Sequence, residues 1–157
     1  MLHARRCDVA TRALTFRAFG TPVTQGSMNA YRRGERVIVT HSRQRELTAW
    51  RADVAEAAYV AASLGGWPLN GYAHVGLSIR FLFRRPASHV GRRLAVYPAY
   101  RAAMPAPDID KLTRAVLDAL TGVLYDDDRR VIVLHARKCW TDGEPGVVVS
   151  AALESLD

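Results

Sequence analysis

The sequence predicts a single α/β domain, of the α+β kind, in which two main helices pack on one face of a mixed β-sheet. Three observations predict it. Val75, Leu77, Ile79, Phe81 and Phe83 recur at every second position, as in a strand with one buried face. Leu112, Ala115, Val116, Ala119 and Leu120 fall at i, i+3, i+4, i+7 and i+8, a single stripe along a helix. Along the 157 residues the elements run as two strands, helix, long strand, helix, two strands, with enough chain to bury a real core. Residues 1–157 are therefore expected to form one domain, with 1–13 as a flexible N-terminal extension.

Each element has a local reason. Leu14 to Ala18 alternates apolar and polar residues, which gives the first strand. "GTPVTQGSMNAYRRGERVIVTHS" carries the turn residues Gly20, Pro22, Gly26 and Gly34, and Val37 to Val39 forms a second short strand. Ser42 is positioned to cap a helix from about Gln44 to about Ser63, with Leu47, Trp50, Val54, Ala57, Ala58 and Ala61 at helical spacing. Gly65 and Gly66 end it. Pro86 stops the long strand, and a loop without periodicity runs to Pro107; loops of that length are often functional. In the second helix Asp108 or Asp110 sits at the N-cap and Gly122 at C′. Asp110, Lys111, Arg114 and Asp118 fall on the face away from its apolar stripe, Asp110 and Arg114 being i, i+4 partners. "VIVLHARKCW" and "GVVVSAALE" are the closing strands, joined by a turn at "TDGEPG".

Composition excludes several classes. Hydrophobic residues are 49% and charged residues 24%, a globular balance. Cys7 and Cys139 lie far apart with no Cys-x-x-Cys, which argues against a disulfide framework or a zinc site. The start has no apolar stretch of signal-peptide length, and nothing approaches a membrane span, so a cytoplasmic protein without membrane contact is expected. The formal net charge is +7, from 22 Lys+Arg against 15 Asp+Glu. Arginines cluster at Arg32, Arg33 and Arg36, at Arg80, Arg84 and Arg85, and at Arg92, Arg93 and Arg101. A basic face rich in guanidinium suits phosphate and polyanions, though it also keeps a small domain soluble.

Against that background the carboxylates of "PDIDKLTRAVLDALTGVLYDDD" are unexpected. Asp108 and Asp110 have an ordinary explanation as helix caps, worth roughly 1 kcal/mol each. Asp126, Asp127 and Asp128 have one as a solvated turn. The sequence suggests, however, that the helix and the returning chain carry both clusters to neighbouring ends of the sheet. Crowded carboxylates repel unless a cation offsets them. Hard oxygen ligands suit Mg²⁺ or Mn²⁺, which polarise phosphate and activate water, so a metal-dependent phosphodiesterase is the sharp expectation. Other Asp-x-Asp chemistries fit less well. No hydrophobic strand directly precedes Asp108, as a phosphatase nucleophile would require, and neither an EF-hand loop nor a Gly-x-x-x-x-Gly-Lys loop is present. The five histidines are scattered without ligand spacing.

"PDIDKLTRAVLDALTGVLYDDDRRVIVLHARK" resembles the signature of RusA-type Holliday junction resolvases: Pro-Asp-x-Asp-Asn-Leu-x-Lys, then Asp-Ala-Leu-x-Gly, then Asp-Asp-x-Gln before a strand. "FGTPVTQGSMNAYR" and "PGVVVSAAL" are similar to that family's first loop and last strand, so the resemblance covers nearly all the chain beyond about Ala13. It implies a homodimeric, Mg²⁺-dependent endodeoxyribonuclease, with Mn²⁺ as a substitute. Such an enzyme makes paired nicks in four-way DNA junctions during recombination and repair and uses no nucleotide cofactor. Asp108 and Asp110 match the first two metal-binding aspartates. Asp128 matches the third, and the triple aspartate leaves Asp127 as the other register. Lys111 stands where Asn is usual, Arg114 where the functional Lys is usual, and Arg130 replaces the Gln.

The resemblance thus assigns Asp108, Asp110 and Asp128, with Asp127 as the alternative, to the metal. Arg114, or Lys111 in its place, steadies transition-state charge; guanidinium cannot donate a proton but does bind phosphate. Arg84, Arg85, Arg92, Arg93 and Arg101, with Arg32 and Arg33, are expected on DNA, and Tyr97 and Tyr100 are suited to stacking on bases. The alternative from another class is a junction-binding protein with lost or weak nuclease activity.

Overall fold

The computed structural model describes residues 12–26, 28–33, 36–41, 43–68, 74–86 and 106–154. Strands β1 (Ala13–Phe19), β2 (Met28–Arg33) and β3 (Arg36–His41) precede helix α1 (Gln44–Gly65). Strand β4 (His74–Arg84), helix α2 (Ile109–Leu120), a 3₁₀ turn (Asp128–Arg130) and strands β5 (Val131–Thr141) and β6 (Gly146–Glu154) follow. The fold is α+β, as expected. The N-terminal extension to residue 11 and the loop over residues 87–105 lie outside the described residues.

The main sheet has the order β1-β6-β4-β5. β6 enters between β1 and β4, antiparallel to both, and β4 pairs β5 in parallel. The two closing strands are therefore not paired to each other, although a short turn joins them. β2 and β3 form a separate antiparallel pair. The β4-α2-β5 segment is a crossover, which a parallel pair requires because a tight turn cannot join two parallel strands.

Alternation decides which face of the sheet is covered. Leu14, Phe16 and Ala18 of β1, Val75, Leu77, Ile79 and Phe81 of β4, and Val147, Val149 and Ala151 of β6 are buried. Helix α1 brings Leu47, Trp50, Val54, Ala58 and Ala62 to that core, and α2 brings Leu112, Ala115, Val116, Ala119 and Leu120. Both helices thus cover one sheet face, and among the described residues no helix covers the other. α1 ends at Gly66, whose φ of 60° is easy for glycine and whose N–H donates to the Ala62 carbonyl. Its N-cap is Arg43 rather than Ser42. Trp67 follows, is buried, and donates from Nε1 to the Leu124 carbonyl at 2.9 Å. That bond fixes the end of α1 against the turn after α2. No helix among the described residues is long and apolar enough to cross a membrane.

Candidate functional site

The first carboxylate pair stands at the N-terminal end of α2. Asp108 is the N-cap by backbone geometry, with its carbonyl accepting from the Leu112 N–H at 3.1 Å, but its side chain makes no capping hydrogen bond. Its carboxylate faces the Lys111 Nζ at 3.2 Å instead. Capping therefore does not account for this aspartate. Asp110 and Arg114 are exposed, and among the described residues neither forms an ion pair, so the expected i, i+4 contact between them is not made. Two long-range bonds fix this end of the helix. The Gln25 N–H donates to the Lys111 carbonyl at 3.2 Å, which lays the first loop beside it. The Lys138 Nζ donates to the Pro107 carbonyl at 2.9 Å, which ties it to the C-terminal half of β5.

The second cluster stands at the other end. After α2 the chain turns through Gly122, whose φ of 84° suits glycine. Tyr125 is buried, and its hydroxyl donates to the Leu117 carbonyl at 3.1 Å. Its ionisation is pushed far up, first by burial and then by the charges of Asp128 and Asp118. Asp118 pairs with Arg51 of α1. The three consecutive aspartates differ in what they do. Asp126 is held by Arg130 at 3.0 Å, and that hydrogen bond is the main cause of its lowered pKa. Asp127 caps the 3₁₀ turn, accepting from the Arg129 backbone N–H and its Nε, both at 2.9 Å, and its pKa falls to about 2. Asp128 is exposed, and among the described residues no cation pairs with it.

The two clusters do not meet within one chain, contrary to the expectation from sequence. Ten helical steps from Asp110 to Leu120 span about 15 Å. The strand gives a second ruler: Asp128 leads into Val131 at the start of β5, whereas Lys138, seven residues on, holds the far end of α2, about 23 Å away. Among the described residues no three His, Cys, Asp or Glu side chains gather closely enough to hold a metal ion. Each end offers suitable oxygen donors, but neither offers a full set.

The basic residues divide in a similar way. Arg84 and Arg85 are engaged by their own chain, with Glu144 at 3.4 Å and Asp142 at 2.8 Å. Arg92, Arg93, Arg101, Tyr97 and Tyr100 lie outside the described residues, as do the side chains of Arg32 and Arg33. The open sheet face carries a row that clustering along the sequence does not reveal: Arg17, Val148, Arg80 and Arg137 stand side by side on β1, β6, β4 and β5. Arg17 donates to the Glu144 carbonyl at 2.6 Å and lies 4.6 Å over the Phe19 ring. Among the described residues Arg80 and Arg137 form no ion pair, although they face solvent directly opposite one another. The available signal was that each occupies an outward position of an alternating strand.

Comparison with known proteins completes the description of the site. A family model described as Endodeoxyribonuclease RusA matches residues 20–151, which include both carboxylate clusters and the arginine row apart from Arg17. No curated protein matches the chain.

Proposed function

This chain belongs to the RusA endodeoxyribonuclease family, and from that premise we propose a Mg²⁺-dependent nuclease that resolves four-way DNA junctions by paired nicks, acting as a homodimer with two sites, each shared between the chains. The family acts on Holliday junctions, so branched DNA is the substrate class. The observation that carries the finer reading is the unequal use of neighbouring carboxylates. Asp126 and Asp127 are taken up by Arg130 and Arg129, whereas Asp110 and Asp128 reach the surface with no cation partner among the described residues. An exposed carboxylate left unpaired among arginines is available to a metal.

Asp108, Asp110 and Asp128 fit Mg²⁺ by donor type, and Mn²⁺ takes the same ligands. When bound, the metal would polarise the scissile phosphate and lower the pKa of water. Metal–oxygen bonds are about 2.1 Å, so donors at opposite ends of α2 in one chain cannot share an ion. A second copy supplies what is missing: Asp108 and Asp110 from one chain, Asp128 from the other. Arg114, one turn beyond Asp110, acts as a fixed positive charge toward the phosphate, with Lys111 beside it. The outward row of Arg17, Arg80 and Arg137 presents charge to the DNA backbone without reading sequence.

The test is cleavage of a synthetic four-way junction with and without Mg²⁺. Asp108→Asn and Asp128→Asn should each lower cleavage at least about a hundredfold while junction binding persists. Mixed so that subunits exchange, the two inactive variants should regain nicking, because each heterodimer holds one intact site; about a quarter of all sites recover in a random mixture. No recovery on mixing would sink the shared site. Binding without any Mg²⁺-dependent cleavage by the wild-type protein would favour a junction-binding module instead.

A further inference from the structure

We propose that Lys138 is a positioning residue for the metal site: from the helix-covered face of β5 its ammonium holds the Pro107 carbonyl and so sets where Asp108 and Asp110 present their carboxylates. The inference rests on the reading of those two aspartates as metal ligands. Its first support is a break in pattern. β5 pairs with β4 so that Leu134, Ala136, Lys138 and Trp140 stand opposite Leu77, Ile79, Phe81 and Phe83. Leu77, Ile79 and Phe81 are buried under the helices, so Lys138 is a cation in a row that the sheet otherwise fills with apolar side chains. Its direct neighbour Phe81 is fully buried, and Lys138 itself is half-buried. An ammonium drawn out of water needs an acceptor. A leucine or methionine would suit the core better at this position, so the acceptor that Lys138 reaches is the reason to keep a lysine.

That acceptor has a particular place in the chain. The Pro107 carbonyl lies one residue before the N-cap, and the first intrahelical bond of α2 uses the Asp108 carbonyl, which accepts from the Leu112 N–H. The helical ladder thus does not reach the peptide that joins Pro107 to Asp108. Nor does Asp108 fix itself, since its side chain makes no capping hydrogen bond and its carboxylate lies 3.2 Å from the Lys111 Nζ. The Lys138 bond, at 2.9 Å, crosses from the sheet to this peptide. The Gln25 N–H reaches α2 as well, but it holds the Lys111 carbonyl, beyond both aspartates. A shift of about 1 Å in the Pro107–Asp108 peptide would pull ligands off an ion whose bonds are about 2.1 Å long. Groups that touch no ion but orient the side chains that do commonly govern metal affinity by about ten- to a hundredfold.

Metal binding by the protein alone tests this apart from catalysis. Lys138→Met keeps the length and apolar stem of the side chain and removes the donor. Titrated with Mn²⁺ in a calorimeter, it should bind about tenfold more weakly than wild type, and Lys138→Arg should recover most of the loss. The Mg²⁺ concentration for half-maximal junction cleavage should rise by the same factor, while the rate at saturating Mg²⁺ changes little. Hydrogen exchange should quicken at the first bonded amides of α2, from Leu112 on, and stay as in wild type along β6. Should Lys138→Met fail to fold, Lys138→Gln, with a shorter and neutral side chain, carries the same comparison. A folded variant that binds Mn²⁺ as wild type does overturns the proposal and leaves Lys138 a prop for the fold, whatever its melting temperature. Wild-type protein that binds no Mn²⁺, or binds it equally well after Asp108→Asn, overturns the metal reading of Asp108 and the proposal with it. Weakened Mn²⁺ binding by Asp108→Asn but not by Lys138→Met removes only the proposal.

Discussion

β4 and β5 run side by side in parallel for eleven residues each, yet β4 buries Val75, Leu77, Ile79 and Phe81 while no residue of β5 is fully buried. The two are comparably apolar where they begin, so hydrophobic content alone does not explain the contrast. Position does. β4 has β6 on one side and β5 on the other, with helices over its inner face; among the described residues β5 has a neighbour on one side only. The lesson is that β5 lends the core only Val131 and Ala136 and leaves Ile132, Val133 and Leu134 exposed, whereas the apolar residues of β4 hold that core together.

The largest expected effect tests this contrast directly. Ile79 is fully buried, and Ile79→Ala should cost about 3 to 4 kcal/mol in thermal or denaturant unfolding, through lost burial and a residual cavity. Leu134→Ala should cost the monomer less than about 1 kcal/mol, because the side chain is already in contact with water. Equal losses would mean that β5 is covered by its own chain in solution, and the contrast would fail.

A smaller effect sharpens it in the other direction. If the surface around α2 and β5 serves the reaction rather than the fold, removing an exposed charge there should change rate and leave stability alone. Arg114→Ala should slow junction cleavage roughly a hundredfold with junction affinity little altered, as for the loss of one electrostatic stabiliser. Arg114→Lys should retain much of the activity. Normal cutting by Arg114→Ala together with a dead Lys111→Ala would move the role to Lys111.

The smallest effect separates the structural aspartate from its neighbour. Asp127 has a folded pKa of about 2, below its ordinary 3.8, because Arg129 hydrogen-bonds its charged form. A depressed carboxylate stabilises the fold above its unfolded pKa, and that contribution is lost as pH falls from 3.8 toward 2. Asp127→Asn should thus lower the melting temperature slightly at pH 7, with the difference shrinking as pH falls below 3.8 and vanishing only below about 2. Cleavage should survive. Loss of cleavage with Asp127→Asn, and survival with Asp128→Asn, would reverse their roles.

How far the sequence could be read follows from which interactions are local. β4 and α2 were legible because each displays its period within its own residues. The strand Met28–Arg33 was not: "MNAYRR" has no alternation of its own, and its pairing with β3 supplies the order. The insertion of β6 between β1 and β4 was equally hidden, since nothing in "GVVVSAALE" says which strands it will join. For the candidate site, the residue types were legible and their arrangement was misread. The rise of a twelve-residue helix sets its two ends apart, but only the pairing of β5 with β4 and the Lys138 bond to Pro107 show that the chain does not return before Asp128. What a second chain adds was not legible either, because no residue pattern encodes a symmetry axis.

The arginine row on the open face has a consequence for the protein without its substrate. Arg80 and Arg137 occupy directly opposed positions on adjacent strands, where like charges repel. Part of the fold's stability is therefore held in reserve until counter-ions collect there. By mass action any polyanion that prefers the folded sheet must raise its melting temperature, whether or not it is a junction. Added salt supplies a weaker form of the same relief by screening the row. The folded state thus behaves as a sensor of its ionic surroundings, firmest when a phosphate backbone lies across it.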